Sequence, residues 1–379
     1  MKNKPQVSKE LLLPNERERE QIFHLLKKQS SYTAWKRIFG YYQAWANVAE
    51  ASVRKADKIG LLGAITIRDH RGNPVASDKT DIGYKDYDRI LKGLAYFEEG
   101  VKRLERGDKR VFTYSDVYGY FGKASVARDI WETLIIRGET QWDPSTPYLE
   151  EFMKCLKVLG EVWSECRQNI LEDRHIDGHA RCTYGLWEQI WLPRLPYPNP
   201  LPKVPEPSKN ILVATGKKIP YSGIWEPVNS GIWEPAVEAD RTSHWFFGSK
   251  PIGAFKIIGT MNYLHGGIRA PQARVHFINS KDYSDTNVEW RLIWRDDRYE
   301  DGTIPEEEKD YLFIEPVPQG VDSPYTIGVE RYLYKHGFWN KYSVIPPISR
   351  FEEYLKKRGL WELPTAAPLE ELKLQGGTE

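Results

Sequence analysis

The chain has 379 residues, which exceeds the usual size of one hydrophobic core and predicts two domains. Its 54 lysine and arginine residues balance 53 aspartate and glutamate residues, which argues against a general nucleic-acid-binding protein. No apolar run approaches the roughly 18 residues of a membrane span, and the polar N-terminus lacks the apolar core of a signal peptide. Three cysteines are too few for a disulfide framework. We therefore expect a cytoplasmic protein without membrane or nucleic-acid partners.

The first half of the sequence predicts helices, because apolar side chains recur there at helical spacing. Five helices are predicted, over residues 16–29, 32–58, 81–106, 115–137 and 147–172. In the second, aromatic rings dominate the predicted buried face, which carries Trp35, Ile38, Phe39, Tyr42 and Trp45. Short connections between long helices favour an antiparallel helical bundle. Such aromatic helices could also pair between subunits, which leaves a homodimer open.

A proline-rich segment then divides the chain. Seven prolines lie between Leu192 and Pro207, a composition typical of an extended interdomain spacer. Beyond it, short β-branched and aromatic runs predict strands at 210–214, 244–247, 254–258, 274–278, 288–294 and 311–314. The predicted fold class is therefore α+β, with a helical bundle over 1–190, a linker over 191–208, a smaller β-rich domain (antiparallel sheet or barrel-like) over 209–345, and a terminal helix and flexible tail over 346–379.

A six-residue phrase is repeated without change in the β-rich part. The sequence Ser-Gly-Ile-Trp-Glu-Pro occupies residues 222–227 and again residues 230–235, with a period of eight. Each copy reads as a turn, an apolar pair, and a proline that is expected to stop ladder pairing. Trp225 and Trp233 are equivalent large rings, suited either to a core or to the centre of a protein interface.

The strongest charge feature is the segment 296–310, where eight carboxylates meet two basic side chains. It follows the predicted strand 288–294, so we expect a projecting, solvated loop that steers and docks a basic partner, such as a nucleic-acid-degrading protein. The spacing of its carboxylates does not match a calcium loop. The predicted partner-binding residues are Asp296, Asp297, Tyr299, Glu300, Asp301, Glu306, Glu307 and Glu308, together with Trp225 and Trp233.

The sequence contains no strong catalytic motif. A metal site could be built from His175, His179 and Cys182, but Gly178 weakens the helix that this geometry needs, so no metal and no cofactor are predicted. The absence of a nucleophile elbow or phosphate loop favours a binding protein over an enzyme. The alternative is a hydrolase-type enzyme with a site between the two domains, using His265 or His276 with Glu226 or Glu234 as the acid.

Several long phrases carry a family resemblance. They are Leu13-Pro-Asn-Glu-Arg-Glu-Arg-Glu20, Ser31-Tyr-Thr-Ala-Trp-Lys-Arg37, the repeated Ser-Gly-Ile-Trp-Glu-Pro, Met261-Asn-Tyr-Leu-His-Gly-Gly267 with Ala270-Pro-Gln272, and Trp290-Arg-Leu-Ile-Trp-Arg-Asp-Asp-Arg-Tyr-Glu-Asp-Gly302. In these the chain resembles the two-domain bacterial polymorphic-toxin immunity proteins found beside type VI secretion effectors. The resemblance implies a cytoplasmic, stoichiometric inhibitor of a cognate toxin. The doubled phrase departs from the single copy that we expect in this family.

A scaffold of the envelope or of a secretion apparatus is a further alternative function.

Overall fold

The computed structural model describes residues 10–59, 82–137, 147–172, 178–206, 211–229, 255–278 and 283–313. Its helices are α1 (Glu16–Gln29), α2 (Tyr32–Lys58), α3 (Ile82–Leu104), α4 (Tyr120–Arg137), α5 (Leu149–Ile170) and the short α6 (Tyr184–Leu186), which continues as a π-helical turn, Trp187–Trp191. Short 3-10 turns lie at Lys109–Phe112 and Glu306–Asp310. None of the helices in these ranges is long and apolar enough to cross a membrane.

The strands are β1 (Leu212–Ala214), β2 (Gly223–Asn229), β3 (Lys256–Ile257), β4 (Asn262–Leu264), β5 (Ala273–His276), β6 (Tyr283–Thr286) and β7 (Glu289–Arg295). One sheet has the order β1-β7-β2-β3, with β4 also paired to β2, and β5 and β6 form a separate pair. Every one of these pairings is antiparallel. A helical region at 16–170 followed by a smaller antiparallel sheet at 212–295 confirms the predicted α+β class.

Most predicted elements lie where the periodicity placed them, but the structure differs at the start of α4, at residues 311–313, and at the strands β4 and β6, which the sequence patterns did not predict. Helix α4 begins at Tyr120 rather than at 115, because the Ser115 hydroxyl accepts hydrogen bonds from the backbone N–H groups of Val117 and Tyr118 and forms a turn. Residues 311–313 are not a strand. The strand predicted at 244–247 lies outside the described residues.

Pro227 does not end the ladder of β2, contrary to the sequence prediction. The strand continues to Asn229, and Pro227 lies opposite Trp290 of β7. On its other side β2 passes from β4 to β3: Trp225 pairs with Asn262 and Val228 with Ile257. The proline nitrogen therefore faces the irregular stretch between those two strands, where no ladder donor is required, and the Pro227 carbonyl still accepts a hydrogen bond from the Ile258 N–H (3.1 Å).

One compact unit consists of helices α2 to α5, over described residues 32–59, 82–105, 114–137 and 147–167. Its core is aromatic, as the α2 pattern predicts. The Trp35 ring is fully buried and stacks on Phe121 at 4.2 Å between centroids, with Phe97 and Trp163 around it. Large rings of this kind bury much apolar surface with few rotatable bonds, so a small number of them fills the interior.

The other compact unit is discontinuous in sequence: it combines 10–31, 106–113 and the described residues from 168 to 313. Helix α1 packs on the sheet here. Asn15 and Glu18 cap its first turn reciprocally, and its Arg19 and Phe23 side chains reach Glu226 of β2 and Trp294 of β7. The compact units therefore do not follow chain order, and the predicted domain boundaries stay a prediction.

Candidate functional site

The predicted acidic loop, residues 296–310, begins on a buried ion pair. Asp296 follows β7, and both of its carboxylate oxygens accept hydrogen bonds from the Arg298 guanidinium at 2.8 Å. Arg298 also donates to the Ser30 hydroxyl (2.7 Å) and to the Lys27 carbonyl (3.0 Å), and thereby joins the loop to the end of α1. Both side chains are almost fully buried. A bidentate pair with its remaining donors satisfied is the arrangement in which a buried charge is tolerated.

Lys109 joins this pair from the 3-10 turn Lys109–Phe112. Its ammonium lies 3.3 Å from the Asp296 carboxylate and donates to the Arg298 carbonyl at 3.0 Å. Burial lowers the pKa of Lys109 to about 8, against the attraction of Asp296, which raises it. Burial alone would raise the pKa of Asp296, but the Arg298 and Lys109 charges hold it below its usual value. Asp296 is therefore a charged, internal group.

The other end of the acidic loop is fixed to the same cluster. Glu308 is buried, accepts a hydrogen bond from the Tyr299 hydroxyl and lies 3.6 Å from the Arg298 guanidinium. Tyr299 is buried too and packs under the Lys109 ammonium, 4.1 Å from its ring centre. Asp296, Arg298 and Glu308, with Lys109 and Tyr299, form what we term the buried charge cluster.

These contacts correct the expectation that the acidic loop is solvated throughout. Asp296, Tyr299 and Glu308 face the interior, because a sheet end, a helix end and a distant turn all supply partners for them. The remaining predicted carboxylates of the segment are exposed: Asp297, Glu300, Asp301, Glu306 and Glu307. Ile304 lies among them with 46% of its surface exposed. The loop thus has a rigid, charged base and an exposed acidic face.

Some exposed carboxylates have partners on the surface. Glu307 pairs with Lys27 at 2.6 Å, and Glu306 pairs with Lys309 at 2.6 Å. Asp301 accepts hydrogen bonds from the backbone and hydroxyl of Thr303, which lower the pKa of its carboxyl. Exposed contacts such as those of Glu306 and Asp301 contribute little to stability, so these two carboxylates stay accessible to a cationic partner, whereas Glu307 pairs with a Lys27 side chain that is only 14% exposed.

Trp225, predicted as an anchor for a partner, is instead a core residue. Its ring is fully buried at the centre of the sheet, and its indole N–H donates to the Tyr221 carbonyl at 3.3 Å. It packs in the sheet core with Trp290 and Leu264. Trp233 lies outside the described residues. The first copy of the repeated phrase is therefore part of the sheet.

Comparison with known families gives two matches in tandem. Residues 13–181 match the family Immunity protein 71, and residues 203–312 match the family Immunity protein 72. The chain carries two immunity protein domains. This confirms the predicted two-domain immunity protein. No curated protein and no solved structure matches the chain significantly.

The described histidines of the hydrolase alternative are packed as structural groups. His265 is buried between the Phe112 and Tyr263 rings, and burial lowers its pKa to about 4, so the ring is neutral near pH 7. Glu226 is held elsewhere: its two carboxylate oxygens accept from Arg19 (2.8 Å) and Arg291 (2.9 Å). Glu234 lies outside the described residues.

His276, the second histidine of that alternative, stacks on Tyr283 at 6.0 Å between ring centroids. Burial is the main cause that lowers its pKa. Within the described ranges no hydrogen bond joins His265 or His276 to a carboxylate. A general acid or base works within hydrogen-bond reach of its partner, so the described residues give the hydrolase alternative no histidine–carboxylate pair already in place.

A cavity of about 610 Å³ adjoins His265, between the end of α5, β4 and the turn after β1. Its polar lining includes Asn262, whose amide already bonds the backbone of Cys182 and Thr260.

The candidate metal ligand Cys182 is a buried structural residue. Burial raises the pKa of Cys182 to about 12, and its thiol lies 3.2 Å from the Asn169 side-chain oxygen. In the part of the chain that the structure describes, no three ligand-type side chains form a cluster suited to a metal ion. His175 lies outside that part.

The buried charge cluster is what sequence reasoning missed. Asp296 and Arg298 are two residues apart at the end of a strand, a spacing that could have suggested a local pair. Lys109 and Ser30 are distant in sequence, and no local pattern connects them to the loop.

Proposed function

We propose that this protein neutralises a cognate secreted bacterial toxin by stoichiometric association in the cytoplasm of the producing cell, without catalysis. The toxin belongs to the effectors delivered by type VI secretion. The two immunity-family matches carry this proposal. The packing of His265, His276 and Glu226 as structural groups favours it over the hydrolase alternative.

The exposed acidic face of the loop, residues 297–307, is the proposed docking surface. These carboxylates belong to a loop that the buried charge cluster fixes near both ends. The docking surface would therefore be ordered before a partner binds. Preorganised surfaces lose less conformational entropy on binding, and a set of like charges steers an oppositely charged partner. We infer a partner with a basic surface, as on an enzyme that binds nucleic acid. Ile304, which is 46% exposed, adds an apolar contact to this face.

Co-expression with the toxin encoded beside the gene tests both statements. The wild-type protein should restore growth and elute with the toxin as a single complex in size-exclusion chromatography. The triple variant Asp297→Lys, Glu300→Lys, Asp301→Lys should weaken binding at least tenfold, mainly through a slower association rate, because it reverses the charge of the surface that steers the encounter.

A second triple variant serves as the matched control. Asp57→Lys, Asp116→Lys and Glu188→Lys change the net charge by the same amount at exposed positions outside the loop. This control should bind and protect as the wild type does. If both triple variants protect equally, the acidic face is not the docking surface. If the wild-type protein neither binds nor protects, the immunity function itself is refuted.

A further inference from the structure

The first copy of the repeated phrase, residues 222–227, makes contacts in β2 that depend on its residue types. The Ser222 carbonyl accepts from the Asp296 N–H, and its hydroxyl accepts from the Gly266 N–H, both at 2.9 Å. A Cβ at Gly223 would lie 2.2 Å from the Trp294 carbonyl oxygen, so only glycine fits there. Ile224 and Trp225 are fully buried, and Glu226 is held by two arginines.

Each of these requirements is met a second time by the sequence. Residues 230–235 repeat all six residue types in the same order, so Gly231, Ile232, Trp233 and Glu234 could make the side-chain contacts of their counterparts. The period is eight, an even number, and an even shift along a strand keeps each side chain on its original face of the sheet. A shift by one period would therefore preserve the pattern of buried and exposed side chains.

We propose that the two copies are interchangeable occupants of β2. Residues 222–227 fill the strand in the ground state, and residues 230–235 replace them when the first copy is impaired. The second copy is then a spare central strand.

The residues next to the repeat explain why the first copy is preferred. Val228 is fully buried after the first copy, whereas Ala236 would take its place and leave a cavity. Tyr221 precedes the first copy, and its ring lies 4.6 Å from the Arg295 guanidinium. If the second copy occupied β2, Asn229 would take the position of Tyr221, and the contact with Arg295 would be lost. The hydrogen bond to the tryptophan indole would be kept, because it uses a backbone carbonyl, which Asn229 has as well as Tyr221.

The chain on both sides has room for the shift. Asn229 pairs with Lys256 at the start of β3, and 26 residues connect β2 to β3, so a shorter connection of 18 residues can still close. On the other side, the last backbone bonds before Ser222 are those of Ile219 with Ile268 and Gly267, so the added residues would loop out after Ile219. Loop-closure entropy changes only with the logarithm of loop length.

Alanine variants of the two tryptophans test the exchange by urea unfolding. Trp233→Ala alone should leave the unfolding midpoint unchanged. Trp225→Ala should lower it moderately, and the double variant should lower it by more than the sum of the two single changes. Trp290→Ala is the matched control, since Trp290 is equally buried on the neighbouring strand and has no second copy. It should lower the midpoint more than Trp225→Ala does.

The proposal is overturned if Trp225→Ala behaves like Trp290→Ala, if it does not fold, or if adding Trp233→Ala changes nothing. A cysteine introduced into the second copy reports which copy occupies β2, because all three native cysteines are buried and should not react. The Ile232→Cys thiol should react more slowly with a disulfide reagent when Trp225→Ala is added than in the otherwise wild-type chain. Unchanged reactivity would also refute the exchange. Neither test involves a toxin, so their result is independent of the proposed immunity function.

Discussion

At the scale of single residues, Arg298 joins segments of the chain that are far apart in sequence, and no sequence motif indicates this role. Its guanidinium bonds Asp296, Ser30 and the Lys27 carbonyl, and it lies near Glu308. Two buried carboxylates therefore depend on one cation for most of their compensation, with Lys109 as the second. Removing one partner of a buried pair costs far more than the net contribution of the pair, because the remaining charge stays desolvated.

We predict that Arg298→Met lowers the free energy of unfolding by about 3–5 kcal/mol, as is typical when a buried ion pair loses one partner. The measurement is equilibrium urea unfolding of the full chain. Arg295→Met is the control: Arg295 is three residues earlier and its side chain is 46% exposed. Its loss should cost no more than about 1 kcal/mol, the range of surface ion pairs. Equal effects of the two substitutions would show that the buried charge cluster does not stabilise the fold.

Sequence reasoning could identify the acidic segment but not which of its carboxylates face inward. Alternation along the strand 288–294 predicts a buried face with Trp290, Leu292 and Trp294; the first two are buried, but the register shift between Ile224 and Trp225 breaks the alternation, so that Ile293 is buried and Trp294 only half-buried. After Arg295 the strand ends, and alternation no longer applies. The inward orientation of Asp296 and Glu308 depends on Lys109 and α1, which reach the loop only through the tertiary fold.

At the scale of elements, the boundaries of α1 and α2 agree with their predicted ranges, because amphipathic periodicity and capping are local signals. The strand β2 was harder to predict. It is buried along almost its whole length and contains a proline, so it shows neither alternation nor the usual strand composition. Only the irregular stretch between β4 and β3 makes that proline acceptable.

Two glycines in the helical unit should respond in opposite directions to the same substitution. A Cβ at Gly93 of α3 would lie 2.0 Å from the Tyr42 hydroxyl oxygen, while a Cβ at Gly122 of α4 would meet nothing within 4 Å. Tyr42 is fully buried and donates to the Ala124 carbonyl at 3.2 Å, so it cannot withdraw without losing that bond.

Gly93→Ala should therefore lower the free energy of unfolding by about 1–3 kcal/mol through overpacking. Gly122→Ala should raise it by about 0.5–1 kcal/mol, because alanine has the higher helix propensity. Thermal unfolding followed by circular dichroism at 222 nm measures both. A stabilising Gly93→Ala variant would show that α2 and α3 are not packed as closely as described.

At the scale of the whole molecule, the two family matches and the two compact units divide the chain differently. The Immunity protein 72 match covers residues 203–312, but the unit that contains the sheet also includes α1, the turn at 106–113 and the described residues from 168 to 202. Contacts from these earlier segments reach the sheet interior. Arg19 pairs with Glu226, Lys109 pairs with Asp296, and the backbone at Leu12 bonds His276 of β5.

We predict that residues 203–313 expressed alone do not fold. Without α1, the fragment loses Arg19 from the buried Glu226, and without the 106–113 turn it loses Lys109 from Asp296, so two buried carboxylates lose part of their compensation. Circular dichroism and urea unfolding should show no cooperative transition for the fragment, in contrast to the full chain.

Adding a fragment of residues 1–202 in trans should restore the transition, because it supplies both missing cations and the helix that covers the sheet. A fragment of residues 1–202 carrying Arg19→Met and Lys109→Met is the matched control and should restore less. Cooperative unfolding of 203–313 by itself would show instead that the sheet domain folds without the earlier segments and that their contacts are added to a finished core.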